Sequence, residues 1–166
     1  MALSRIDTTN MIEDVPQSKL DNNINFRNII INGDMSIAQR STSVSGITGT
    51  GYNTVDRFSL TNTGLGTWTQ SQSTDVPTAQ GFAKSFKVDC TTADPSLGAA
   101  NYGFFNYNIE GQDLQQIKKG TSDAEKITVS FYVKGNASAT YVLGLYESDN
   151  SRAVGAQFSV TTSWTR

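Results

Sequence analysis

The stretch Ile127-Thr128-Val129-Ser130-Phe131-Tyr132-Val133-Lys134 alternates apolar and polar side chains without a break. An extended backbone points successive side chains to opposite faces, so it sorts this pattern into one apolar and one wet side, which a helical period cannot do. The pattern predicts a half-buried strand over 126–134, with Ile127, Val129, Phe131 and Val133 inward and Thr128, Ser130, Tyr132 and Lys134 outward. Shorter versions recur. Phe86, Val88 and Cys90 alternate with Lys87 and Asp89, and Phe105, Tyr107 and Ile109 alternate with Asn106, Asn108 and Glu110. Together with Thr54–Leu60, Thr67–Ser71, Thr140–Tyr146 and Ala156–Val160 they make seven candidate strands, within the wider bounds Ala83–Cys90 and Tyr102–Ile109 for the two just described. Turn residues bound each one, which predicts a mostly β antiparallel sandwich rather than a βαβ fold.

Composition agrees with wet-faced strands. Hydrophobic residues make up 37% and charged residues 17% of the 166, and uncharged polar residues fill the gap, as in Ser41–Ser45 and Thr67–Thr74. That length suits one domain with a short appendage. A single helical stretch is expected over 111–120, where Leu114 and Ile117 stand three apart, Lys118 and Lys119 suit a C-terminus and Gly120 suits the stop. Ile29-Ile30-Ile31 before Asn32-Gly33 predicts a buried strand and turn opening the domain, and the Gly, Ser and Thr between Gln39 and Gly51 predict a surface loop.

Residues 1–27 read differently. They hold one aromatic, Phe26, among Asp, Asn, Thr and Pro, too little to form a core alone. Their isolated apolar residues Ile6, Met11, Ile12, Val15, Leu20 and Ile24 are spaced as if each plugs into another surface, so an extended arm ordered by a partner or sister chain is expected, with a floppy tail as the alternative. The sequence stops on Ser163-Trp164-Thr165-Arg166, within what reads as a further hydrophobic approach, and is expected to be a fragment of a longer protein, truncated at the C-terminal end of its sandwich.

The chemistry available is narrow. With no histidine and one cysteine, the chain lacks the parts for a Ser-His-Asp triad, a Cys-His dyad, a His-containing or four-cysteine zinc site, or an internal disulfide. Cys90 reads as a small buried apolar side chain. Among fifteen acids, Glu110, Asp113 and Glu147 are the shortlist for carboxylate chemistry of the glycosidase kind, and each reads better as surface charge or helix capping. Gly64-Leu65-Gly66 and Gly49-Thr50-Gly51 read as turns, because neither follows a strand and opens a helix. Asp149-Asn150-Ser151 reads as a hairpin turn rather than a calcium loop. No catalytic residue, cofactor or metal is therefore expected, and the chain reads as a binding protein rather than an enzyme.

A net charge of −2 argues against nucleic acid, whose binding needs clustered cations. No apolar run is long enough for a membrane-spanning helix, and the start lacks a secretory signal, so membrane insertion is not expected. What remains is two Trp, six Tyr and eight Phe set among amides and hydroxyls. An aromatic face against sugar C–H groups, with amides bonding hydroxyls, is the usual chemistry of glycan recognition. Tyr132 and Tyr146 on outward strand positions, and Trp68 and Tyr52 near loops, are the candidate glycan contacts, with core packing as the alternative for each.

The order of motifs adds a resemblance. Asn28-Ile29-Ile30-Ile31-Asn32-Gly33-Asp34-Met35, Ile37-Ala38-Gln39-Arg40, Tyr52 with Asp56-Arg57-Phe58, Ile109-Glu110-Gly111, Leu114, Ile127–Lys134, Phe158 and Trp164 resemble the glycan-binding-like domain of fibre proteins from marine and cyanobacterial phages. The resemblance spans residues 28–166 and implies a jelly-roll sandwich like a carbohydrate-binding module. Tyr132 and Gly135 stand where such sequences often carry Trp and Ser, a difference that bears on sugar preference. The arm, with Val15–Leu20, is similar to the segments that anchor trimeric fibres.

The resemblance thus implies a homotrimer in the virion, assembled in the host cytoplasm and located on the tail, or alternatively on a head or collar. Residues 1–27 would dock into a tail adaptor or other virion protein, and the sandwich would meet host-surface polysaccharide or lipopolysaccharide. A head fibre or capsid decoration protein with a purely structural sandwich is the alternative, and a capsule-cleaving depolymerase the third.

Overall fold

The computed structural model describes residues 28–166. The proposed arm residues Ile6, Met11, Ile12, Val15, Leu20 and Ile24 lie outside the described residues. Within 28–166 the protein is mostly β: β1 (Ser43–Ile47), β2 (Phe58–Thr63), β3 (Thr67–Ser73), β4 (Ser85–Thr92), β5 (Tyr102–Tyr107), β6 (Ala139–Glu147) and β7 (Arg152–Val160), with one short 3-10 helix, Gly111–Ile117. All strand pairs are antiparallel and fall into three sheets, ordered β1-β3-β4, β2-β5 and β6-β7.

The first two sheets meet through aromatic side chains. Phe58 of β2 lies 6.1 Å from Phe86 of β4 and 5.1 Å from Tyr107 of β5, and Phe86 meets Phe105 of β5 edge-on at 5.8 Å. Tilted and edge-to-face geometries match the positive rim of one ring to the negative face of the next. Near this cluster sit the fully buried Val55 and the buried Ile47 and Leu60. Burial extends to polar groups: Gln70, at the centre of β3, is wholly enclosed, and its Oε1 accepts a 3.0 Å bond from Asn53 Nδ2. Gln70 Nε2 finds no partner among the described residues.

Turn chemistry fixes the entry to this part. Asn32 adopts a left-handed φ of 60°, which Asn tolerates better than most residues. Its amide nitrogen donates to the carbonyls of Ile37 and Asp56, and its Oδ1 accepts from the Ile37 N–H at 2.9 Å. One side chain thus ties the 32–37 turn to the segment before β2. At the β2–β3 turn Gly66 has φ 82°, and a Cβ there would run into the Thr92 carbonyl oxygen, so only glycine lets the turn close against the end of β4.

The structure corrects several expectations. Ile29–Ile31 is a bend leading into a turn, with Ile31 45% exposed, because its N–H groups go to Asn28 Oδ1 and the Tyr107 hydroxyl instead of a neighbouring strand. The expected loop 39–51 contains β1, whose register breaks between Val44 and Ile47 around Gly46 at φ 74°. That bulge explains the lack of readable alternation. The helix stops earlier than expected, on left-handed Lys118 at φ 54°, whose N–H donates to the Gln115 carbonyl while the Lys119 N–H donates to that of Leu114. Cys90 is exposed, since β4 is an edge strand.

The largest correction concerns 126–134. No strand forms there, and Ile127, Val129 and Phe131 are 46%, 43% and 37% exposed. Among the described residues its backbone is paired only at its end, by a two-way bridge between Val133 and Thr165 and a bond from Gly135 N–H to the Thr161 carbonyl. Alternation sorts faces, but a strand also needs a neighbour for its N–H and C=O groups, and sequence periodicity does not supply one.

Candidate functional site

Two polar residues of that same segment, Tyr132 and Lys134, line an open cleft. Ser130 Oγ accepts from Arg166 at 3.2 Å, the Tyr132 hydroxyl donates to Gln80 Oε1 at 2.7 Å, and Lys134 Nζ reaches Asp75 Oδ2 at 2.6 Å. The bridge at Val133 and Thr165 brings in Trp164, whose indole N–H donates to Asp75 Oδ1 at 2.9 Å. Asp75 therefore holds the Lys134 ammonium with one oxygen and the Trp164 indole with the other.

The cleft, of about 480 Å3, is lined by Pro77, Thr78, Gln80, Tyr132, Lys134 and the 162–164 segment. Tyr132 is braced on two sides. Phe82 meets it edge-on at 5.7 Å, and the Arg166 guanidinium lies over its ring at 5.9 Å. The Asp75 carboxyl is held below its ordinary range, first by the hydrogen bond from Lys134 and then by that from Trp164. Chemically the cleft offers an indole, a phenol, an amide and an ion pair, a set that can hydrogen-bond a polar ligand and present flat apolar surface to it.

A second, smaller cleft of about 350 Å3 is lined by Gln39, Arg40, Tyr52, Asp56, Arg57, Asn108 and Glu110. Arg57 and Glu110 pair at 2.7 Å; their mutual hydrogen bond raises the guanidinium above its ordinary value and lowers the Glu110 carboxyl. The Tyr52 hydroxyl accepts from Asn108 Nδ2 at 2.9 Å, and Arg40 stands over the Tyr52 ring at 6.0 Å. Glu147 is also held low, chiefly by Asn150 Nδ2, at the turn that joins β6 to β7. A carboxyl that is lowered in this way stays ionised near neutrality and is not poised to donate a proton.

The four aromatic candidates thus separate. Tyr132 lies in the larger cleft and Tyr52 in the smaller. Trp68 is half-buried in β3, in register with Ile47 and Cys90, and its indole N–H donates to the Leu65 carbonyl at 2.9 Å, which makes it a packing residue in this structure. Tyr146 stands 69% exposed on β6, in neither cleft. Asp75, Gln80, Lys134 and Trp164 were not singled out by sequence as site residues. Asp75 and Gln80 are more than fifty residues from Tyr132 and Lys134, a separation over which no sequence spacing signals contact.

Among the described residues no group of three or more His, Cys, Asp or Glu side chains is arranged to hold a metal ion, and no helix is long and apolar enough to cross a membrane. No protein-family model, no curated protein and no solved structure matches this chain.

Proposed function

We propose that this protein is a binding component of a phage fibre, carried on the virion, whose Tyr132–Trp164 cleft takes a saccharide of the host surface. The observation that carries the reading is the convergence of Trp164, Tyr132, Gln80 and Lys134 on one open cleft, with Asp75 bonded to both Lys134 and Trp164. Aromatic rings supply flat apolar area at low cost in conformational entropy, and the amide and charged groups bond hydroxyls in the plane of a sugar ring. An open, shallow site suits an internal stretch of a polymer rather than an enclosed small molecule. The jelly-roll arrangement of the strands, the homotrimer, and anchoring through residues 1–27 to a tail adaptor belong to the same proposal and rest on the resemblance in motif order.

Such a site binds each sugar weakly, and fibre copies held together would raise avidity by roughly 10^2 to 10^4. The test is binding of the full chain to immobilised host-surface polysaccharide, by biolayer interferometry, with Trp164→Ala and Tyr146→Ala side by side. Loss of binding in the first and retention in the second is expected. No binding by the wild-type protein, or equal binding by both variants, would overturn the assignment of this cleft. Antibody labelling of intact virions tests location: label on tail appendages is expected, and label spread over the capsid would favour a decoration protein.

A further inference from the structure

The smaller cleft holds charged groups that the proposed function does not use. Arg40 and Arg57 line it with Asp56 and Glu110, so these groups sum to zero charge, but the two pairs are unequally made. Arg57 Nη1 donates to Glu110 Oε1 at 2.7 Å, and the other oxygen of Glu110 accepts from Gln112 Nε2 at 2.8 Å. Arg40 stands 3.9 Å from Asp56 Oδ1, beyond hydrogen-bond length, and that oxygen already accepts from the Gln39 N–H at 3.2 Å. The Arg40 side chain is 59% exposed, and its guanidinium lies over the Tyr52 ring at 6.0 Å. Each carboxylate thus has a hydrogen-bond donor of its own, while the Arg40 guanidinium is positioned by a ring face and keeps its N–H groups open among the described residues.

Two further observations bear on what the cleft can hold. The Tyr52 hydroxyl accepts from Asn108 Nδ2 at 2.9 Å, which leaves its own proton for a ligand. Arg57 has a left-handed φ of 73°, a conformation that glycine adopts freely and a residue with a Cβ resists. The solvent-exposed ion pair that Arg57 makes contributes little to offset that strain. Strain of this kind is kept where the side chain has a task.

We infer that this cleft binds the carboxylate of an acidic sugar, a uronic acid, with Arg40, Arg57 and the Tyr52 hydroxyl as donors. A guanidinium fork matches a carboxylate through two parallel N–H···O bonds. A phosphate carries more negative charge, which Asp56 and Glu110 on the same cleft oppose more strongly than a single charge. The exposed part of Tyr52 and the amides of Gln39 and Asn108 supply ring surface and hydrogen bonds for the rest of the sugar, and about 350 Å3 of open volume accommodates one pyranose ring. The site shares no lining residue with the Tyr132–Trp164 cleft, and it rests on the fibre reading only for the source of the sugar.

The test is an NMR titration of the full chain with sodium glucuronate, a phosphorylated glucose and glucose, read from arginine side-chain and backbone amide shifts. Saturable millimolar binding of glucuronate is expected, with weaker binding of the phosphate and none of glucose. Arg40→Gln, at an exposed position, should weaken glucuronate binding about tenfold, the size of one lost charge-assisted hydrogen bond. Arg57→Gly should weaken it similarly while the melting temperature holds or rises, because glycine relaxes the backbone. A lowered melting temperature with unchanged binding would mark Arg57 as structural and overturn its role; if Arg57→Gly is destabilised and binding also falls, Arg40→Gln decides.

No saturable binding of glucuronate, equal binding of glucose, equal or tighter binding of the phosphate, or full retention in Arg40→Gln would overturn the inference. Trp164→Ala should leave glucuronate binding unchanged, and its loss there would overturn the inference by moving the site to the larger cleft. Polysaccharide binding by Trp164→Ala reports on the larger cleft and glucuronate binding by Arg40→Gln on the smaller, so failure of one proposal is distinguishable from failure of the other.

Discussion

The strands β1–β5 and the hairpin β6–β7 both carry apolar side chains and differ sharply in burial. In the first region Val55, Leu60 and Ile47 are buried at 0%, 3% and 8% exposure, and aromatic rings bridge two sheets. In the second, Val160 alone is buried, and Tyr141, Leu145 and Val154 face solvent. The difference teaches that apolar strands do not stabilise a fold by being apolar. They stabilise it only where a second layer removes their surface from water.

The sharpest way to break this comparison is a pair of truncations. Leu60→Ala should cost about 2–4 kcal/mol in urea unfolding, since a buried leucine leaves both lost transfer energy and a cavity. Val142→Ala, at a side chain 63% exposed on the hairpin's outer face, should stay within about 0.5 kcal/mol. Equal losses would mean that the two regions form one cooperative core.

A somewhat smaller effect is expected at the buried amides. Asn53→Ala removes the donor to Gln70 Oε1, leaving both ends of an enclosed amide unpaired, and should cost about 1–3 kcal/mol. Adding Gln70→Leu removes the stranded polar group and should recover most of that loss in the same unfolding assay. A double variant no more stable than Asn53→Ala would show that Gln70 serves shape rather than hydrogen bonding.

Hydrogen exchange at low protein concentration gives a third contrast. Amides paired between β2 and β5 should exchange only with global unfolding, and those between β6 and β7 through local opening at clearly lower free energy. Uniform protection across both would erase the distinction.

The smallest effect separates the two tryptophans. Trp68 donates to a backbone carbonyl, which does not titrate, and Trp164 donates to Asp75. The Asp75 carboxyl is lowered in the folded protein, so its stabilising contacts are fully present above its ordinary value of about 3.9 and are lost as pH falls through the lower folded value. Tryptophan emission should therefore change below about pH 4 in the wild type. The change should vanish in Trp164→Phe and persist in Trp68→Phe. A transition carried by Trp68 instead would place the acid-sensitive contact in the wrong half of the molecule.

Much of the strand content was legible because period two survives in single strands: β4, β5, β6 and β7 all stand within a few residues of their expected positions. β1 was not legible, since its bulge at Gly46 breaks the alternation that would announce it. The segment 126–134 was misread as a half-buried paired strand: Ile127, Val129 and Phe131 are exposed, and only Tyr132 and Lys134 of its polar set line the cleft, with Phe131 against Phe158. For the site, sequence offered Tyr132 by its outward position. It could not offer Asp75 or Gln80, whose roles exist only because distant segments converge.

The sequence by itself determined which side chains share a face, where turns fall, and which catalytic chemistries lack their residues, since these depend on local backbone geometry and on inventory. The tertiary structure decided which faces are covered and which groups meet. A hydrogen bond between Asp75 and Trp164, 89 positions apart, is set by the path of the chain between them and not by the identity of either residue.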